Sequence, residues 1–91
     1  LRQSRKGVIL MNKVYNVVES SYEVKTGLFE SFVKTFENQK DALEYLNDSV
    51  KELQDNYKDL AVNQVTDDKV NYFEPNIILH GAIELLVSYV H

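Results

Sequence analysis

The segment from residue 13 to residue 57 decides the fold: KVYNVVESSYEVKTGLFESFVKTFENQKDALEYLNDSVKELQDNY. It begins with two runs rich in Val, Tyr and Phe, Lys13–Val24 and Leu28–Glu37. Only Lys25-Thr26-Gly27 separates them, and a Gly at the third place of a short hairpin loop takes the left-handed conformation that such loops need. The segment therefore predicts two antiparallel strands joined by a tight turn.

An amphipathic helix is predicted to follow, from Asp41 to Tyr57. Asn38 is a suitable N-cap residue, and Asp41 favours the positive end of the helix dipole. Apolar residues recur every three or four positions and form one stripe: Leu43, Leu46, Val50, Leu53 and Tyr57. This spacing indicates that the helix packs one face against the sheet, with Leu46 and Phe32 in the core.

The remainder of the chain predicts a second hairpin. The range 60–68 is open between a fraying helix end and a short strand, and Lys69–Glu74 is predicted to be the third strand. The range 76–81 is predicted to be a loop, and Ala82–His91 a fourth strand, with a helix as the alternative. The expected fold is one α+β domain over residues 11–91, with ββαββ order and a single helix on one sheet face.

The first ten residues differ from the rest of the chain. Arg2, Arg5 and Lys6 are basic, and Met11 is the only methionine. Codons for residues 5–8 can resemble a ribosome-binding site upstream of Met11. Residues 1–10 are therefore interpreted either as a translated leader before a natural start at Met11, or as an ordinary N-terminal extension.

Composition and charge narrow the function classes. The 91 residues carry a net charge of -4, and no acidic residue precedes Glu19, so the range 11–91 is more acidic and has no Arg. An acidic domain without Arg is poorly suited to binding the phosphate backbone of nucleic acid, and it is better suited to binding basic protein surfaces. There is no Cys, no apolar run reaches membrane-spanning length, and no signal peptide is evident, so a cytoplasmic location without membrane association is expected.

No residue pattern predicts catalysis, a cofactor or a metal. His80 and Glu84 would share one helix face, but they would not converge on a metal if the range is a strand. Ser20-Ser21 has no histidine at a recognisable spacing, and Asp67-Asp68 is interpreted as an acidic turn. The three glycines are isolated, so no phosphate-binding loop is present. A non-enzymatic protein is expected.

The pattern as a whole resembles a group of small proteins. The runs KVYNVVESSYEV, FVKTFENQKDALEYLNDSVKEL, KVNYFEP and IELLVSYVH carry the resemblance. They include a strand that ends in Tyr22-Glu23 and a helix that opens near Asp41-Ala42. The chain is thus similar to uncharacterised proteins of phages and mobile elements of low-GC Gram-positive bacteria. The resemblance implies a ββαββ fold and a mobile-element origin, and it implies no activity.

A single helix covers only one face of a sheet, so the other face is expected to stay partly apolar. A homodimer that pairs these faces or the edge strands would bury it. The leading hypothesis is a binding module that occupies the surface of a host or phage protein, in one version by acidic mimicry of nucleic acid. The alternative is a nucleic-acid-binding accessory protein that uses strand aromatics and the basic N-terminal segment. The candidate partner-binding residues are Glu44, Asp48, Glu52, Asp55, Tyr15, Ile77, Ile78 and Leu79.

Overall fold

The computed structural model describes residues 12–90, and it confirms the α+β class. The elements are β1 (Asn12–Glu23), β2 (Leu28–Phe36), α1 (Gln39–Asn56), β3 (Ala61–Thr66), β4 (Lys69–Glu74) and β5 (Leu79–Val90). The strands form one antiparallel sheet in the order β2-β1-β5-β4-β3. β1 and β5 are the longest strands, they lie side by side, and both contact the helix. The prediction for residues 1–10 lies outside the described residues.

The helix begins where the sequence predicts a cap. The side chain of Asn38 accepts a hydrogen bond from the Asp41 backbone N–H at 2.9 Å, and its Nδ2 donates to the Asp41 carboxylate at 3.0 Å. Tyr57 caps the C-terminal end of the helix. Its backbone is extended, and its N–H donates a hydrogen bond to the Leu53 carbonyl at 2.9 Å. These bonds satisfy backbone groups that a helix end otherwise leaves unpaired. No helix among residues 12–90 combines the length and apolar character that a bilayer span requires.

The core lies between α1 and one face of the sheet. Leu46 and Ala42 of the helix are fully buried, and they belong to one buried cluster with residues of β1, β4 and β5. The buried apolar residues are Val17, Ala42, Leu46, Val70, Tyr72, Leu79, Ile83 and Leu85. Because side chains alternate along a strand, Val17 fixes the odd-numbered residues of β1 on the helix side of the sheet. The even-numbered residues of β1 therefore point to the opposite face, which we call the open face.

The sheet has five strands, one more than the four of the two predicted hairpins. The range 61–66 is the edge strand β3, which pairs with β4 through a turn at Asp67-Asp68 and is irregular between Gln64 and Thr66. The chain leaves the helix at Tyr57, so the apolar residues of 60–65 are free to pair with β4. Strand structure at the C-terminus is confirmed, but β5 begins at Leu79 and not at Ala82.

The predicted apolar loop is a short turn with most of its apolar side chains directed inward. The buried carboxylate of Glu74 accepts hydrogen bonds from the backbone N–H groups of Asn76 and Ile77, the latter at 3.1 Å. Leu79 is buried and Ile77 packs against the core. Ile78 is exposed and has a φ of 53°, an uncommon value for a β-branched residue.

Phe32 is not a core residue, and the expectation that it packs under the helix is wrong. It lies on the helix side of β2, yet 60% of its surface is exposed. The helix packs over β1 and β5, at the centre of the sheet, and reaches β2 mainly near Phe36, whose ring lies 5.3 Å from that of Tyr45. The outer strand β2 is therefore left uncovered along most of its length.

Candidate functional site on the open face of the sheet

Four rings lie in one row across the open face. In the strand register Tyr22 of β1 is opposite Phe29 of β2 on one side and His80 of β5 on the other. His80 is in turn opposite Phe73 of β4, and the centroids of these two rings are 4.8 Å apart. Since neighbouring strands are about 4.8 Å apart, the register sets the four rings side by side. We call Phe29, Tyr22, His80 and Phe73 the ring row.

The ring row is accessible from solvent. Phe29 is 65% exposed and Tyr22 is 43% exposed, while His80 is exposed and Phe73 is half-buried. Large apolar side chains are usually withdrawn from water, so contiguous exposure of this kind is typical of surfaces that contact another molecule. The row therefore offers a flat surface of ring faces and edges about four strands wide.

A row of small and polar side chains lies beside the rings. The register aligns Ser31, Ser20, Ala82, Asn71 and Asn63 across all five strands. These side chains are shorter than the rings, so the surface steps down beside the ring row. A shallow depression of about 430 Å³ near Phe73 and His80 includes Asn63 and Asn71 in its lining. The amides can donate and accept hydrogen bonds at the edge of an otherwise apolar surface.

The open face is nearly free of charge. Among the strand residues of the described chain, only Lys69 and Glu84 carry a charge on this face, and they lie opposite each other in the β4–β5 register. The other charged strand residues, such as Glu19 and Glu30, lie on the helix side. Apart from Glu84, the acidic strand residues of the described chain therefore lie on the helix side of the sheet.

Acidic groups on the helix side interact with one another. Burial raises the pKa of Glu19, and the nearby carboxylates of Glu52 and Glu30 raise it further. Burial also raises the pKa of the Tyr72 hydroxyl to about 12, and the charge of Glu19 adds to that effect. Both pKa shifts follow first from burial and then from the neighbouring negative charges on the helix side of the sheet.

We expect Glu19→Gln to stabilise the protein at pH 7. Because the folded state binds the Glu19 proton more tightly than the unfolded state, this carboxyl group costs stability as pH rises through its folded pKa. The wild type should therefore become more stable as pH falls from 7 towards 5, and Glu19→Gln should reduce that gain. The carboxyl is half-exposed, so the stabilisation at pH 7 should stay below about 1 kcal/mol.

Urea unfolding of both proteins at pH 7 and pH 5 measures this effect. Glu44→Gln is the matched control, because it removes the same charge from an exposed helix position. Equal pH dependence of stability in the wild type and Glu19→Gln would contradict the expectation.

The acidic residues of α1 form a separate surface. Glu44, Asp48, Glu52 and Asp55 are all exposed, and at 3.6 residues per turn they fall within roughly 80° of the helix circumference. They lie on the side of α1 away from Leu46, and Glu52 is at the margin of this side, where its carboxylate is near Glu19 of β1. We call these four residues the acidic stripe.

The remaining predicted site residues do not join the acidic stripe or the ring row. Tyr15 is half-buried and packs against the core from the helix side of β1. Ile77 and Leu79 pack inward, so Ile78 is the exposed one of these three predicted residues. The predicted residues therefore belong to several places in the molecule and do not form one site.

The ring row could not be assembled from the sequence. His80 was expected in a loop, and its place beside Tyr22 and Phe73 depends on the register of β5 with two neighbours. The sequence does carry one signal for the ring row. Phe29 and Tyr22 alternate with polar residues on either side of the turn at residues 25–27. His80 and Glu84 share a sheet face, but four strand residues separate them by about 13 Å. No group of three or more potential metal ligands occurs among residues 12–90.

Comparisons with known proteins found no relative: no family model, no curated protein and no solved structure matches the chain. The function is therefore inferred from the surfaces of the molecule themselves.

Proposed function

We propose that this protein is a non-enzymatic binding module that uses the ring row on its open sheet face to contact another protein. The observation that carries the proposal is a row of four rings, exposed and aligned across the sheet, on a face with a single pair of opposite charges. Aromatic residues are enriched in the centres of protein interfaces and charged residues are depleted there. The asparagines beside the rings supply hydrogen-bonding groups for a polar margin. The mobile-element origin implied by the resemblance stays a prediction.

A protein partner fits this face better than nucleic acid does. Stacked bases would find suitable rings here, as in proteins that bind single strands. Affinity for nucleic acid comes largely from cations that neutralise phosphates, however. On the open face Lys69 is the available cation, and Glu84 lies opposite it. The net charge of -4 adds a repulsive field around the whole chain.

Acidic mimicry of nucleic acid is the second candidate, and the acidic stripe is the feature that favours it. From Glu44 to Asp55 the stripe holds four carboxylates, and a rise of 1.5 Å per residue spreads them at about one charge per 5 Å. Duplex DNA carries one charge per 1.7 Å of helix axis, so the stripe reaches about one third of that density. Because the stripe matches the charge density of DNA only in part, the leading proposal rests on the ring row.

The test compares binding by three variants in pull-downs from a lysate of the organism that encodes the protein. Tyr22→Thr/His80→Thr removes two neighbouring rings while keeping strand propensity. Leu86→Thr/Val90→Thr alters two exposed apolar residues elsewhere on the same face. The third variant replaces all four residues of the acidic stripe with Lys. We expect the first variant to lose a specific retained protein at least tenfold, and the other two to retain it within about twofold.

Two outcomes would overturn the proposal. Retention by the ring variant together with loss by the charge-reversed variant would show that the acidic stripe is the contact. Nuclease-sensitive retention would favour the nucleic-acid alternative. In that case a gel shift with a single-stranded RNA oligonucleotide in low salt should show binding by the wild type, and binding should weaken on loss of Tyr22 and His80.

A further inference from the structure

The outer strand β2 exposes both of its faces and one edge. Four large apolar residues of this strand are more than half exposed: Leu28 (51%), Phe29 (65%), Phe32 (60%) and Val33 (61%). β2 is the first strand in the sheet order, so one side of it has no neighbouring strand among the described residues. A long, apolar and unprotected edge strand is a template for pairing with another strand. The question is which strand it fits.

The hydrogen bonds around β1 determine which backbone groups of β2 point outward. The Val24 N–H donates to the Ile78 carbonyl at 3.0 Å, so the even-numbered residues of β1 direct their backbone groups to β5. The odd-numbered residues of β1 consequently face β2, where their register partners are even-numbered. The odd-numbered residues of β2 therefore point their N–H and C=O groups away from the sheet. These residues are Phe29, Ser31, Val33 and Thr35.

We propose that β2 pairs with β2 of a second copy of the chain, antiparallel, about a two-fold axis at Phe32. Phe32 is the middle residue of Leu28–Phe36, so this register pairs the whole strand with itself. The outward groups of Phe29 meet those of Thr35 of the second copy, and Ser31 likewise meets Val33. Phe32 lies opposite its own counterpart at a non-hydrogen-bonded position, where side chains approach most closely.

Charge selects this register over its neighbours. With the axis at Phe32, Glu30 lies opposite Lys34 of the second copy, and the symmetry repeats the pair on the other side. Opposite charges at facing strand positions are favourable. The outward backbone groups allow the axis to shift only by whole residues, and the nearest alternatives have axes at Ser31 or Val33. Those registers place Glu30 opposite Phe32 or Phe36 and leave residues at the strand end unpaired.

The surface available for burial fits a modest but specific dimer. A Phe side chain buries about 200 Å². Covering the exposed parts of the two Phe residues, Leu28 and Val33 in both copies therefore removes up to about 1,000 Å² from water. This value is near the lower limit for a specific interface, so association in the micromolar range is expected. Phe32 of both copies would fill the space that α1 leaves uncovered beside β2.

The pairing leaves the acidic stripe uncovered, and of the ring row it covers Phe29 while Tyr22, His80 and Phe73 stay outside the interface. A two-fold axis normal to the sheet keeps both helices on one side and makes the two open faces continuous in a ten-stranded sheet. Because Phe29 lies opposite Thr35 of the second copy, the two ring rows are offset by six residues, or about 20 Å along the strands. The dimer would thus present two ring rows, although its formation does not depend on what they bind.

Disulfide cross-linking between introduced cysteines tests the register directly. The chain contains no cysteine, so each single-cysteine variant has one thiol per copy. At a non-hydrogen-bonded position facing Cα atoms are about 4.5 Å apart, within the range of a disulfide. Phe32→Cys should therefore form a covalent dimer when oxidised glutathione accepts the electrons. Lys34→Cys is the matched control, since residue 34 of each copy would lie about 13 Å from its counterpart. Faster cross-linking of Lys34→Cys, Ser31→Cys or Val33→Cys than of Phe32→Cys would overturn the register.

A charge-swap series tests the dimer without cysteine. At about 100 µM the wild type should have twice the 10.6 kDa mass of the chain in light scattering. Glu30→Lys and Lys34→Glu should each weaken dimerisation at least tenfold, and the double variant should restore it. A monomeric wild type, or a double variant that stays monomeric, would overturn the proposal. The ring variant Tyr22→Thr/His80→Thr should remain dimeric, so failure of the dimer and failure of the proposed function are separable.

Discussion

Leu46→Asp is expected to leave the chain unfolded at 25 °C. Leu46 has no exposed surface and lies at the centre of the contact between α1 and the sheet. Its neighbours in the core are apolar, so a carboxylate there would have neither water nor a partner. Burying such a charge costs several kcal/mol beyond the lost packing, and the stability of a small domain is about 5–10 kcal/mol. Circular dichroism should show loss of the helical signal and of the cooperative melt.

Two matched variants make this result specific to burial. Asn47→Asp adds the same charge at the next helix position, which is exposed, and should melt within a few degrees of the wild type. Phe32→Asp places the charge on β2, where 60% of the side chain is exposed, and should leave a folded monomer. A cooperative melt for Leu46→Asp close to that of Asn47→Asp would show that another helix face meets the sheet.

Gly81→Ala should destabilise the protein by about 3 kcal/mol, because the Tyr72 ring lies where a methyl group would be. Gly81 of β5 is opposite Tyr72 of β4, and the ring covers the glycine on the helix side of the sheet. A Cβ at Gly81 would lie 2.5 Å from Tyr72 Cε1 and closer still to Cζ and the hydroxyl oxygen. Tyr72 is buried, so its ring has little room to move away. Thermal melts should show a midpoint lowered by about 15 °C.

A double-mutant cycle separates this clash from general effects of replacing glycine. Tyr72→Leu shortens the side chain, so Gly81→Ala should cost about 2 kcal/mol less in that background than in the wild type. Gly27→Ala is the contrasting control, since Gly27 has a φ of 72° and no atom near its Cβ position. Its cost should be about 1 kcal/mol from the backbone conformation alone, with no dependence on Tyr72. Equal cost of Gly81→Ala in both backgrounds would contradict the close contact.

The two glycines also show why some sites are readable in a sequence and others are not. Gly27 lies in a short loop between two apolar runs, and its left-handed conformation follows from local turn geometry. Gly81 lies inside a strand, and the reason for its small size is a ring on a different strand. No local pattern around residue 81 contains that information, since the contact depends on how β4 and β5 align.

The sequence by itself determined the local elements, because each depends on nearby residues. The alternation in β1 and β2, the Asn38 cap and the three-four spacing through Leu46 were sufficient for the first hairpin and the helix. The tertiary structure decided what depends on pairing at a distance: the strand β3, the exposure of Phe32, and the alignment of His80 with Tyr22 and Phe73. The alternation of side chains between the two faces is set by the strand's own sequence. Its register depends on the neighbouring strands, and the burial of its faces depends on the elements that pack over them.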